Sequence, residues 1–528
     1  MVRSQGWIFQ NMPPLQESAI VAGIAFASCL ILTALAKPLA IACNFVDSPD
    51  GRRKAHGRSV PLGGGLCVGA AILAALAIHA SLAPDSASVY SDNARFFTGC
   101  FLASLVLCIV GVLDDRIGLR GRQKLLGQCL AIAILISITE MWTTKLGLFG
   151  RDYDLGVAAI PFTVLWLLGA VNALNLMDGI DGLAATIGAA GAFALAGMCL
   201  LNDRAADALL ALALGGALLG FLCHNMPPAS IFLGDTGSML IGLLLGTLAL
   251  HSSLKGPATV ALTAPFAVLA VPFVDVTAAI LRRRLTGRSI YAADRGHMHH
   301  VIMGKGFSGS ATVGIIGFAT LVTCGAALAS VYWKNELYAG ISVLLVIVVF
   351  VALRIFGYSE YLLIRNRMLQ FGRSLFDPNR THGEHRESAV HIQGSRDWAS
   401  LWSHLRSQVP NDVVRIGLDI DLPRLHEGFH ARWERAGVHD EVLAYQQVFP
   451  IVAESQVIGR FEVTGIVETL ETQDGARSAW MLHALVQQKA QSLLAAEADS
   501  TDARAEPMLW RGSRQRPSRS AKAAGGVA

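Results

Sequence analysis

Five short polar segments hold the residue types that could do chemistry, and the densest is Asn172-Ala-Leu-Asn175-Leu-Met-Asp178-Gly-Ile-Asp181. Asn172, Asn175 and Asp178 follow one another at i, i+3 and i+6, so on a helix they drift by only about 60° and share a face. Two amides and a carboxylate at a Gly-containing helix end form an oxygen-rich site suited to Mg²⁺ or Mn²⁺, with Asp181 one step beyond. A helix C-cap accounts for one Asn and one Gly but not for two further aspartates. A second segment is Leu113-Asp114-Asp115-Arg116. Its adjacent carboxylates repel each other, so the pair asks for a divalent cation, a proton, or the arginine as counter-charge. In the third, Phe232-Leu-Gly-Asp235-Thr-Gly-Ser238, Asp235 reads either as another site carboxylate or as an ordinary helix N-cap.

The other two segments are cationic. One runs Asp47-Ser-Pro-Asp-Gly-Arg52-Arg53-Lys54-Ala-His56-Gly-Arg58 and leads into Gly63-Gly64-Gly65. A basic cluster before three glycines allows close backbone approach to a phosphate or sugar, and it also reads as a positive-inside anchor with a flexible helix start. The other is Asp294-Arg295-Gly-His297-Met-His299-His300. Its histidines could ligate a soft metal, but zinc would want further Cys or His nearby. A hydrogen-bonding, cationic site for a nucleotide diphosphate fits better. Together the five segments suit Mg²⁺-assisted phosphoryl transfer, in which metal and cations hold the charge of a diphosphate. The sequence contains no Gly-x-x-x-x-Gly-Lys loop, which disfavours a P-loop ATPase.

The elements that must position these residues are apolar. Charged residues make up only 16% of the 528-residue chain against about a quarter in soluble domains, while 53% are hydrophobic, so a single soluble globule is excluded. Eleven apolar runs approach the roughly 20 residues needed to cross a bilayer, at 18–43, 61–83, 96–113, 125–142, 156–176, 183–201, 205–224, 231–250, 258–281, 311–332 and 336–356. The first is too long for a signal peptide and lacks a basic start, so it reads as a retained helix. Arg and Lys concentrate in the loops after the first, third and ninth runs, which places those loops in the cytoplasm, with the N-terminus outside. The candidate carboxylates then gather at one membrane face, where an ionisable side chain is a functional candidate by default. Lys145–Leu155 alternates around a Gly and predicts an external hairpin. The nine cysteines are singly spaced in the apolar part, so neither a disulfide framework nor a zinc ribbon is expected. A net charge of +4 is too weak and dispersed to predict a nucleic-acid partner. A multi-span lipid or sugar transporter is the competing class, but transporters place such carboxylates near the midplane between repeated halves.

Taken in order, Asp47-Ser-Pro, Lys54-Ala-His56, Pro61-Leu-Gly-Gly, Leu113-Asp114-Asp115, Asn172 to Leu183, Phe232 to Ser238 and Asp294 to His300 resemble the motifs of the polyprenyl-phosphate N-acetylhexosamine-1-phosphate transferases of glycosyltransferase family 4. The resemblance spans roughly residues 18–356. It implies a Mg²⁺-dependent enzyme that moves a sugar 1-phosphate from a UDP-N-acetylhexosamine to undecaprenyl phosphate and releases UMP, the first membrane step of a cell-envelope polysaccharide pathway. Met298 interrupts the histidines, which is similar to the branch that uses UDP-GlcNAc; three consecutive histidines mark the branch that takes a UDP-muramoyl pentapeptide. By the same resemblance Asp178 is a direct metal ligand, Asp235 and Asp181 orient the metal, its water or the uridine, and Asn172 and Asn175 line the nucleotide pocket. Asp114 and Asp115 lie toward the lipid phosphate, with Asp114 as its base. Lys54, His56, Arg295, His297, His299 and His300 contact the diphosphate and sugar. The implied location is the bacterial inner membrane, and a homodimer is compatible with it.

The expected organisation is an all-α polytopic membrane protein of about eleven transmembrane helices with a cytoplasmic C-terminal α/β domain. It divides into an external segment (1–17), the transferase domain (18–356), a linker (357–393), a soluble α/β domain (394–497) and a basic tail (498–528). Within the soluble domain the pattern predicts helices over 396–408 and 477–497 and strands over 413–420, 442–452 and 457–467, the last pair faintly resembling a GAF-like hairpin.

Overall fold

The computed structural model describes residues 15–47, 59–83, 87–148, 151–252, 254–256, 259–285, 296–355, 385–393, 398–422, 427–435, 445–453, 456–465 and 473–502. The N-terminal part is a helical bundle. Its elements are α1 (Leu15–Ala42), α2 (Gly64–Leu82), α3 (Ala87–Asp92), α4 (Ala94–Ile117), α5 (Gly121–Thr139), α6 (Ala159–Met177), α7 (Leu183–Leu201), α8 (Ala205–Asn225), α9 (Gly234–Ser252), α10 (Thr263–Val268), α11 (Ala270–Leu285), α12 (Met298–Gly304), α13 (Gly309–Tyr332) and α14 (Leu337–Ala352). Each of the eleven apolar runs holds a helix. Among the described residues eight helices, α1, α2, α4 to α8 and α13, are long and apolar enough to cross a bilayer. The remaining runs hold α9, the pair α10 and α11 separated at Leu269, and the 16-residue α14. The chain is thus a multi-span membrane protein. Its outward side chains, such as Leu126, Leu165, Phe318 and Leu344, are exposed, as a lipid-facing surface requires.

Small residues set how closely the helices meet. A Cβ on Gly111 of α4 would lie 2.3 Å from the Thr236 Cα of α9, and one on Gly65 of α2 would lie 2.2 Å from the Gly237 nitrogen. Without side chains at these points, α2, α4 and the start of α9 pack backbone against backbone. Gly64 and Gly65 therefore do not present their backbone to a phosphate. The Gly64 and Gly65 N–H groups donate to the carbonyls of Phe232 and Leu233 at 3.1 and 2.9 Å. At Gly64 and Gly65 this freedom is spent on helix packing, the helix-start reading of the run rather than a ligand cradle. The segment before it forms a short ladder, β1 (Val46–Asp47) against β2 (Val60–Pro61).

The expected hairpin forms: β3 (Lys145–Leu148) pairs antiparallel with β4 (Arg151–Asp154). It is extended by β5 (Leu254–Gly256) and β6 (Thr259–Ala261) into a four-stranded sheet of order β4-β3-β6-β5, with β3 parallel to β6. The C-terminal part holds an antiparallel sheet of order β10-β11-β8-β9-β7, built from β7 (His385–Gln393), β8 (Val413–Leu422), β9 (Glu427–Arg435), β10 (Tyr445–Ala453) and β11 (Gln456–Gly465). Helices α15 (Trp398–Ser407) and α16 (Gln473–Asp502) cover one face, burying Trp398, Leu401, Trp402, Leu482 and Val486 against Ile416, Leu418, Phe429, Trp433 and Phe461. The sheet begins at His385, inside the stretch assigned to the linker, because β7 pairs with β9 along its length.

Candidate active site

The ends of four helices meet at Lys124, in the first turn of α5. Its Nζ lies 2.8 Å from Asp114 Oδ2 at the end of α4 and 3.0 Å from Asp235 Oδ2 at the start of α9. It also donates to Asn175 Oδ1, near the end of α6, at 2.9 Å. One half-buried ammonium thus satisfies two carboxylates and an amide from three other helices. Asn175 turns its Nδ2 to Asp235 Oδ1 and to Ser238 Oγ, the latter at 2.9 Å. Both oxygens of Asp235 are therefore engaged by the protein.

The neighbouring aspartates divide their work. Asp114 Oδ1 accepts the Leu119 N–H at 2.7 Å, which closes the turn between α4 and α5. Asp115 accepts the Asp235 N–H at 2.9 Å, the Thr236 hydroxyl at 2.9 Å and the Thr236 N–H at 3.4 Å. It caps α9 from another helix, placing a negative charge on otherwise orphaned N–H groups. Asp235 is therefore not the cap of α9, since the cap comes from Asp115. Asn172 sits in a reciprocal amide pair with Gln128 of α5, donating at 2.8 Å and accepting at 3.4 Å. Asn172 therefore fastens α6 to α5.

Asp178 ends α6 and is half-buried. Among the described residues no group donates a hydrogen bond to its carboxylate. Burial, and then the negative charges of Asp235, Asp115 and Asp181, raise its pKa well above the ordinary carboxylate value. Asp181 Oδ2 accepts the Ala229 N–H at 2.8 Å, tying this loop to the segment before α9. Buried Asn225 reinforces the tie, accepting from the Gly182 N–H at 3.0 Å and donating to the Ile231 carbonyl at 2.9 Å.

The histidine segment arrives over the same loop. A Cβ on Gly179 would lie 2.3 Å from His299 Nε2, so the buried imidazole rests directly on the backbone after Asp178. His297 and His299 stack with ring centroids 5.9 Å apart and planes 11° from parallel, and His300 lies 4.2 Å from His299. Asp114, Asp115, Asn172, Asn175, Asp178, Asp181, Asp235, His297, His299 and His300 thus come to one end of the bundle. Lys54, His56 and Arg295 lie outside the described residues. Sequence reasoning counted Lys124 only as a loop charge and passed over Gln128, Asn225 and Asp275. A signal existed for three of them: Lys124 and Gln128 stand one helical turn apart at the start of an apolar run, and Asp275 is a lone charge inside one.

Among the described residues no three His, Cys, Asp or Glu side chains converge to enclose a metal. Mg²⁺ does not need such a cage, because it keeps several waters and takes one or two carboxylates together with substrate phosphates. Asp178, ringed by negative charge and lacking a protein donor among the described residues, fits that habit.

The family model described as glycosyl transferase family 4 matches residues 97–253. The chain is 34% identical over 298 residues to the probable undecaprenyl-phosphate N-acetylglucosaminyl 1-phosphate transferase of Bacillus subtilis, covering 56% of this chain and 79% of that protein. It is 32% identical over 364 residues to the decaprenyl-phosphate N-acetylglucosaminephosphotransferase of Mycolicibacterium smegmatis, covering 64% of this chain and 88% of the relative. Similarity also extends to the phospho-N-acetylmuramoyl-pentapeptide-transferase of Enterococcus hirae, 35% identical over 213 residues, or 37% of this chain and 63% of that protein.

Proposed function

The chain belongs to the glycosyl transferase family 4 of polyprenyl-phosphate sugar-1-phosphate transferases, and on that premise we propose that it transfers N-acetylglucosamine 1-phosphate from UDP-GlcNAc to undecaprenyl phosphate, releasing UMP. In the net reaction an oxygen of the lipid phosphate bonds to the sugar-bearing phosphorus as the bond to UMP breaks. The observation that carries this reading is the convergence of Asp114, Asp235 and Asn175 on Lys124, beside an Asp178 carboxylate with no described donor. A site rich in carboxylates with one embedded cation is suited to holding a divalent cation through which a diphosphate would be positioned, and positioning is most of what phosphoryl transfer asks of a protein.

In this reading Asp178, with Asp235 as second carboxylate, would hold Mg²⁺, and the bound ion would polarise the diphosphate and offset charge on the departing UMP. Lys124 can exchange a carboxylate contact for a phosphate oxygen as the diphosphate arrives. Asp114, paired with Lys124, is placed to accept the proton of a singly protonated lipid phosphate. The histidines supply charge-assisted donors to the diphosphate, joined by Lys54, His56 and Arg295 on the strength of their sequence pattern. The site faces the cytoplasm of the bacterial inner membrane, in keeping with the basic loops beside it, and the C-terminal sheet domain lies on that side.

The test is UMP release by the purified full chain given undecaprenyl phosphate, Mg²⁺ and UDP-GlcNAc, with UDP-GalNAc and the UDP-muramoyl pentapeptide as parallel donors. UMP and a lipid-linked product from UDP-GlcNAc are expected. UMP release only from the pentapeptide donor would move the chain to the other branch of the family. Substrate movement across vesicles with no UMP from any donor would overturn the transferase reading.

A further inference from the structure

Asp275 belongs to none of the five polar segments, yet it is among the most enclosed charged residues of the bundle, with 1% of its surface exposed. It lies on α11, and its two oxygens are spent on the histidine segment. Oδ2 faces His297 Nδ1 at 2.7 Å, and Oδ1 accepts the Met298 N–H at 2.8 Å. A carboxylate only accepts, so this contact places a proton on His297 Nδ1. The Nε2 position is then left to act on whatever the segment binds. Met298 is the first residue of α12, so the same side chain pins the start of that helix to α11. His297 stacks on His299, and His299 rests on Gly179. A continuous set of contacts therefore runs from Asp275 to the backbone beside Asp178.

We infer that Asp275 is a positioning residue for the transfer reaction, fixing the His297 ring in the Nδ1–H form and aiming its Nε2 at the donor diphosphate. A free imidazole turns about its bonds and chooses its tautomer; one held by a buried carboxylate does neither. The inference rests on the proposed placement of the diphosphate at the histidine segment. It adds a residue outside the five polar segments.

The competing account is that Asp275 only caps α12 through Met298. A double-mutant cycle on the full chain separates the two. Asp275→Asn is expected to lower kcat about 10- to 100-fold, the range for losing the partner that orients a functional imidazole. In a His297→Ala background the same change should cost less than about 3-fold, because the ring it serves is gone. Equal losses in both backgrounds would assign Asp275 to capping and overturn the inference. Full activity of His297→Ala would remove the diphosphate site from this segment, and the proposed placement would fall with it. If Asp275→Asn fails to insert, ring-¹⁵N histidine spectra of the wild-type chain, with His297 assigned through His297→Asn, read the proton position directly. Nδ1–H or the doubly protonated ring is expected, and a neutral Nε2–H ring would refute the pairing.

Discussion

Replacing Lys124 by Met keeps the length and much of the apolar stem of the side chain while deleting the charge on which three helix ends converge. The Asp114 carboxylate is 9% exposed and Lys124 16%, whereas Asp235 is 34% exposed. Removing one partner of a buried ion pair costs about 3–5 kcal/mol, because the survivor stays in poor solvent with an uncompensated charge. The Asp114 pair should carry most of that loss. Asp235 is better hydrated, and exposed pairs contribute only about 0–1 kcal/mol. The metal-free variant is therefore predicted to lose about 3–5 kcal/mol of stability, which is large against the total of about 5–15 kcal/mol typical of folded domains. Saturating Mg²⁺ should recover part of it by standing in for the missing cation. Turnover should fall about 10²- to 10³-fold even with Mg²⁺, the scale of removing a single preorganised donor from a charged transition state. Lys124→Arg should restore stability better than rate, since a planar fork cannot meet Asp114, Asp235 and Asn175 from one nitrogen. Thermal unfolding with and without Mg²⁺, alongside UMP release, gives both readouts. A Met variant with wild-type melting temperature and rate would show that Lys124 is a bystander.

Asp178→Asn should abolish turnover by removing a charge from the proposed metal shell, and near wild-type rates at low Mg²⁺ would show that the ion is held elsewhere. The Asp178 carboxyl is raised, so stability arising from its protonated form is complete below the ordinary carboxylate pKa and is lost as pH rises through the raised value. Metal-free protein should accordingly lose melting temperature across that window, Mg²⁺ should restore it with proton release, and the effect should vanish in Asp178→Asn; a pH-independent difference between the two proteins would contradict this. Gly65→Ala should destabilise by about 1–3 kcal/mol or more, because its Cβ would lie 2.2 Å from the Gly237 nitrogen, and an unchanged melting temperature would show that the α2–α9 contact can relax. A chain ending near Gly372 should still insert and release UMP, since every candidate site residue precedes it; an inserted but inactive chain would place the C-terminal domain in the site.

Much of the candidate site could be read from the sequence because ionisable residues are costly at a membrane edge, so their presence there is informative whatever the fold. Asp114, Asp178 and Asp235 stood out in this way, and Asn175 through its helical spacing with Asp178. Their partnerships were not legible, because spacing along one helix says nothing about which neighbouring helix approaches. Lys124 illustrates this: its charge was counted toward orientation, while its contacts depend on α4, α6 and α9 meeting around it. The same blindness applies to β7 and β9. Their pairing is made across the sheet, and β7 carries no strict alternation, whereas Phe429, Ala431 and Trp433 of β9 do alternate with His430, Arg432 and Glu434, a strand signal that sequence reasoning passed over.

The structure also separates chemistry from architecture within motifs that look uniform. Asp114 and Asp115 are adjacent, yet successive helical residues point about 100° apart, and that rotation sends one to Lys124 and the other to the start of α9. Asp115 then does for α9 what a capping side chain ordinarily does locally, which leaves Asp235 free to face Lys124 and Asn175. Asn172 and Asn175 divide in the same manner, the first toward Gln128 and the second toward Lys124. Loss of Asp115 should consequently act through Asp235: Asp115→Asn would keep an acceptor for the helix start but weaken the charge that holds it. Its rate loss should shrink when Asp235 is already Asn, whereas a group touching the lipid phosphate directly would cost the same in either background.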